Sequence, residues 1–172
     1  MKTIHLAGFL LGHRDSITRV TSDRTSIPVG LILVLLAGVA RDHDLEDLTG
    51  EGIGTVFLGL AISSALWIVL HIGILWTFRG RWIGEDGKPA PAPGPTVLLG
   101  AIWATAPLAW LYAVPFERMA DPVSADDDNV ALLALVATWR VLLMIRVLSV
   151  LTATGMAAAA PAILAPVTIL VA

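Results

Sequence analysis

The sequence predicts an all-α fold: a polytopic transmembrane helical bundle with four clear spans, a probable fifth and a cytoplasmic N-terminus. Three observations lead there. Hydrophobic residues make up 56% of the 172 residues and charged residues only 15%, against about 45–50% and about 25% in soluble domains. Mean hydropathy is +0.81, more apolar surface than one soluble core of this length can hide. The apolar residues gather into long runs, and Lys and Arg fall unevenly on the stretches between them.

Taken in order, Met1 to Ser26 reads as a cytosolic basic arm (residues 1–26), with at most one amphipathic helix on the surface. Its Arg14, Arg19 and Arg24 recur every five residues, which does not keep them on one helical face. The transmembrane domain (27–172) opens at Ile27–Ala40, with Ser26 as N-cap and Pro28 in the first turn. The second span is Ile53–Phe78, closed by Arg79, Gly80 and Arg81. A Pro-rich cytosolic linker at 84–95 follows, whose prolines Pro89, Pro91, Pro93 and Pro95 forbid helix and make a stiff spacer. The third span is 96–114, stopped by Pro115 and Glu117. The fourth is Val130–Leu151, introduced by Asp126, Asp127 and Asp128. The fifth, Met156–Ala172, is apolar but contains Pro161 and Pro166. The chain stops inside that run, so either the fifth span ends flush with the interface or, the favoured expectation, the chain is a fragment of a longer protein.

Basic residues orient the set. Lys2, Arg14, Arg19, Arg24, Arg79, Arg81 and Lys88 lie on one side, and only Arg41 and Arg118 on the other. Cytoplasmic loops carry the excess of Lys and Arg, so the N-terminus is inside and the acidic loops, with Glu46, Asp47, Glu117 and Asp126 to Asp128, are outside. The expected location is the cell inner membrane, crossed several times. The net charge of −3 and the lack of a basic face argue against a nucleic-acid partner. Zero cysteines exclude disulfides, thiolate metal sites and a cysteine nucleophile.

Charge inside the spans is the functional clue. Arg140 lies ten residues into the fourth span, about 15 Å deep and near the midplane. A guanidinium there costs at least about 3 kcal/mol unless it faces protein or water. Ser63, Ser64 and Thr105 offer neutral acceptors at similar depth. Pro107 leaves the Trp103 carbonyl without its helical donor. The first span is about 21 Å long, short of the roughly 30 Å core. Either the bilayer thins locally around it, or its continuation RDHDLEDL puts Asp42 or Asp44 within reach of Arg140 as an ion-pair partner. Arg146 is six residues on, about 120° around the helix, and reads as snorkelling to inner-leaflet phosphates. His71 reads as an interhelical hydrogen-bonding residue, a proton relay being the sharper reading. Asp42, Asp44, Glu46 and Asp47 read as a solvated acidic loop, because the EF-hand pattern is absent. No metal or cofactor is expected. No GxSxG, HExxH, Walker A or GxGxxG string occurs, so the reading leans away from an enzyme.

Three stretches, AGVARDHDLEDL (37–48), TAPLAWLYAVPFERM (105–119) and WRVLLMIRVLSVL (139–151), resemble a family of uncharacterised bacterial multi-pass membrane proteins with similar strings in the same order. The resemblance implies a longer parent and supplies no activity, substrate or cofactor. Two functions remain. One is a structural or scaffolding subunit that meets lipid, other membrane subunits or the rest of a longer chain. The other is a transport component with Arg140 and the 42–47 acidic cluster lining an anion or proton path.

Overall fold

The computed structural model describes residues 3–42, 61, 64, 65, 68, 69, 72, 87, 88, 93–113 and 122–171. Among these the fold is all helical, without a strand: α1 (Thr3–Leu10), α2 (Arg14–Ser22), α3 (Ser26–Asp42), α4 (Pro95–Ala104), a 3-10 helix η1 (Ala106–Ala113), α5 (Pro122–Thr152) and α6 (Met156–Val171). Residues 61, 64, 65, 68, 69 and 72, inside the expected second span, are helical as well.

The N-terminal segment differs from the expected arm. It is two helices, not one, because Gly12 ends α1 in the left-handed region at φ 75°. His13 N–H reaches the Gly8 carbonyl and Gly12 N–H the Phe9 carbonyl, the paired bonds of a glycine-terminated helix. The chain reverses, and α2 returns so close to α1 that a Cβ on Gly8 would collide with the Ser16 hydroxyl. Nor does the segment lie on the surface. Phe9, Ile17 and Val20 are fully buried with Ala101 and Ala104 of α4, Leu108 of η1, and Val136, Leu143 and Val147 of α5. Among the described residues this cluster is the largest piece of core.

Between α2 and α3 the axis bends by 103°. Asp23 makes the corner. Its Oδ1 accepts the Thr25 backbone N–H at 2.8 Å and the Thr25 hydroxyl at 2.7 Å, a local turn that competes with helix. Those two bonds, the backbone one foremost, hold the Asp23 carboxyl below the usual carboxylate range. Beyond the corner α3 lies against α4 and η1. A Cβ on Gly30 would stand 2.8 Å from the Trp103 Cβ, and one on Gly100 would stand 2.9 Å from the Ser26 hydroxyl. The two glycines let these helices approach backbone to backbone, while Leu33, Ala37 and Ala106 close a second patch of core.

The third apolar run is not one continuous α-helix. Pro107 has no N–H to give the Trp103 carbonyl. The α-helix stops at Ala104, Thr105 caps it through its N–H on the Ile102 carbonyl, and the chain continues as η1. The fourth run, by contrast, is longer than expected. α5 begins at Pro122 and has 31 residues, so Asp126 to Asp128 lie within the helix instead of before its first turn, past the reach of its N-terminal dipole. Asp127 and Asp128 are exposed there.

α5 closes on a Schellman turn, with Thr154 N–H on the Ser149 carbonyl and Ala153 N–H on the Val150 carbonyl. Ala153 occupies the left-handed position at φ 51°. The chain then folds back as α6, burying Ala159, Ala162 and Ile163 against Leu98, Met144, Ile145 and Leu148.

Among the described residues one helix is both long and apolar enough to cross a membrane, Asp127–Thr152, or two if the bent α2–α3 pair counts as a single span. α4 with η1 is shorter, α6 has 16 residues, and the expected second span lies mostly outside the described residues. Only 22% of the apolar window of α5 is buried. Val130, Leu133, Leu135, Trp139 and Leu142 are exposed along it, which is not how the central helix of a water-soluble core is built.

Candidate functional site

The two arginines of α5 address different neighbours, as their spacing requires. Arg140, half-buried, donates from Nε to the Thr105 hydroxyl at 3.3 Å. Thr105 is 1% exposed, and its hydroxyl in turn donates to the Ile102 carbonyl at 2.6 Å. The break that Pro107 imposes thus delivers a buried acceptor to the Arg140 guanidinium. Of the neutral acceptors expected for Arg140, Thr105 is one partner, and Ser63 lies outside the described residues. Ser64 instead accepts the indole N–H of Trp103 at 3.1 Å.

Arg146 donates from Nε to the carbonyl of Gly12 at 3.3 Å. Trp139, seven residues earlier and therefore on the same face, donates its indole N–H to the Leu10 carbonyl at 3.0 Å. The last carbonyls of a helix lack intrahelical donors and carry its negative dipole end. α5 supplies an indole to the Leu10 carbonyl at the end of α1 and a guanidinium to the Gly12 carbonyl in the turn beyond it, so Arg146 is tied to protein through one of its three nitrogens. Sequence reasoning missed this clamp because its partners stand 129 and 134 residues apart.

Beside the clamp lies a groove of about 450 Å³ lined by Leu10, Leu11, Gly12, Leu135, Thr138, Trp139, Leu142, Leu143 and Arg146. Across the α1–α2 turn a second, polar depression of about 420 Å³ is lined by His5, His13, Arg14, Asp15, Ser16 and Arg19. There Arg19 Nη1 stands 3.5 Å from His5 Nε2. Arg14 and Arg19, expected to diverge around one helix, share this depression because α1 folds back beside α2.

The remaining site expectations fall elsewhere. His71, Asp44, Glu46, Asp47 and Glu117 lie outside the described residues, as do the side chains of Asp42 and Asp126. The expected pairing of Arg140 with Asp42 or Asp44 falls there too. Among the described residues no three His, Asp or Glu side chains converge on a metal-sized site. Compared with family models, curated proteins and solved structures, the chain matches none.

Proposed function

We propose that this chain is a multi-pass inner-membrane protein, a bundle of four or five spans with its N-terminus in the cytoplasm, acting as a scaffolding or complex-forming subunit. The carrying observation is how α5 spends its charge. It is an apolar helix whose surface is mostly uncovered, yet both its arginines are bound to acceptors on neighbouring elements, Thr105 and Gly12. Guanidiniums held this way fix helix packing, and polar groups are costly in lipid unless so engaged. The exposed apolar residues of α3, Leu31, Ile32 and Leu36, with those of α5, are the surfaces offered to lipid and to other subunits.

One observation favours the transport alternative. The helix beside Arg140 is discontinuous at Thr105, and transporters build midplane sites from broken helices. Thiol accessibility separates the two. The chain has no cysteine, so Ala106→Cys, beside the Thr105–Arg140 contact, gives a single reporter. In membranes the scaffold reading requires it to resist charged, membrane-impermeant thiol reagents from either side. Rapid labelling would establish a water path and overturn that reading. Membrane residence itself is tested by alkaline carbonate extraction, where release into the supernatant would sink both.

A further inference from the structure

We propose that the groove between α5 and the end of α1 is a site for one anionic phospholipid, its acyl chain on the apolar wall and its phosphate at Arg146. The inference rests on the reading of α5 as a membrane span. The α5 wall is formed at positions 135, 138, 139, 142, 143 and 146, a continuous stripe on one helical face. Leu11, Leu135 and Leu142 are each more than half exposed, so the wall offers apolar surface that is not filled from within. At its end stands Arg146. One nitrogen is taken by Gly12, and no further bond of this guanidinium is present among the described residues. Its remaining donors suit a phosphate, which guanidinium binds through paired bonds.

Apolar wall and terminal cation together have the polarity of an amphiphile with an anionic head. The volume of about 450 Å³ lies within the range of small-ligand pockets. The wall is preorganised, because the Leu10 and Gly12 carbonyls fix Trp139 and Arg146, so little side-chain freedom is lost on binding. No carboxylate lines the groove. An apolar protein partner would leave the arginine donors unmatched, an anionic lipid would not.

Trp139 is a built-in reporter. The full chain is reconstituted in vesicles in which either phosphatidylglycerol or phosphatidylcholine carries brominated acyl chains, and the fluorescence quenched through Trp139 is taken as the difference from Trp139→Phe. The expected preference for phosphatidylglycerol is about fivefold, the effect of one basic residue beside an anionic head group. It should fall to about one in Arg146→Gln and persist in Arg146→Lys. Leu142→Trp, quenched against its own Trp139→Phe background, should lose the preference without touching Arg146, and it guards against misfolding of the arginine variants. Equal quenching by both lipids in the wild-type chain would mean non-selective lipid contact and overturn the proposal. Absence of quenching at Trp139 would mean that protein covers the groove, and would overturn it equally. Failure of the chain to reconstitute at all would count against the membrane reading, not against the groove alone.

Discussion

Truncating Phe9 to alanine separates an N-terminal segment built into the core from one that rides on the surface. Phe9 is fully buried in a cluster with residues of α2, α4, η1 and α5, the last of them 138 positions away in sequence. Removing a buried phenylalanine ring costs about 3–5 kcal/mol through lost transfer energy and the cavity left behind. In lipid the transfer part would vanish, since acyl chains are as apolar as leucine. It does not vanish here, because a released α1–α2 hairpin carries His5, His13, Arg14, Asp15 and Arg19 and would move to water. Leu11, two residues on and 64% exposed, is the control. Its truncation should stay within about 0.5 kcal/mol. Thermal unfolding of the purified protein, followed by tryptophan fluorescence, should show the Phe9→Ala midpoint roughly 6–20 °C below wild type, at about 2–4 °C per kcal/mol for this size. The Leu11→Ala midpoint should be nearly unchanged. Equal, small shifts in both would refute the buried hairpin and restore the surface arm.

Three further outcomes follow from named residues. Ala153→Gly should raise stability by about 1 kcal/mol, since the left-handed position at φ 51° penalises a Cβ, whereas Gly12→Ala at φ 75° should lower it by at least as much; the same thermal scans read both. Lowering pH should weaken the α2–α3 corner. The Asp23 carboxyl is held below its unfolded value by Thr25, so its contribution is present above about pH 4 and lost as pH falls through the folded pKa. Asp23→Asn, scanned against wild type from pH 6 to 3, should lack that decline. For the proposed ion pair, Arg140→Leu should cost about 3–5 kcal/mol and be partly rescued by Asp42→Asn or Asp44→Asn, whereas strictly additive losses would leave Thr105 without a carboxylate companion.

Much of the secondary structure was legible in the sequence because composition and punctuation act locally. Pro28 and Pro107 each do what their backbone chemistry dictates, and the fourth apolar run is a long helix. What was not legible depends on distance or on a boundary without a marker. Nothing local says that Asp126 to Asp128 continue a helix begun at Pro122, since aspartates suit a helix start equally well. The site was half visible. Arg140 stood out by depth and Thr105 was among its candidate acceptors. The attachment of Trp139 and Arg146 to the end of α1 needs a contact spanning more than 120 residues, which no local periodicity encodes.

The most direct test of the account is a solvent-accessibility scan of α5 in bilayers. Single cysteines at Leu133, Leu135 and Leu142, all exposed, and at Asp127 as an aqueous reference would be spin-labelled and challenged with oxygen, which concentrates in lipid, and with a polar nickel chelate. A lipid-facing span predicts high oxygen and low nickel accessibility at the three leucines, and the reverse at Asp127. Nickel accessibility at Leu133 and Leu135 equal to that at Asp127 would place α5 in water and contradict the membrane reading, and with it the functions proposed for its arginines.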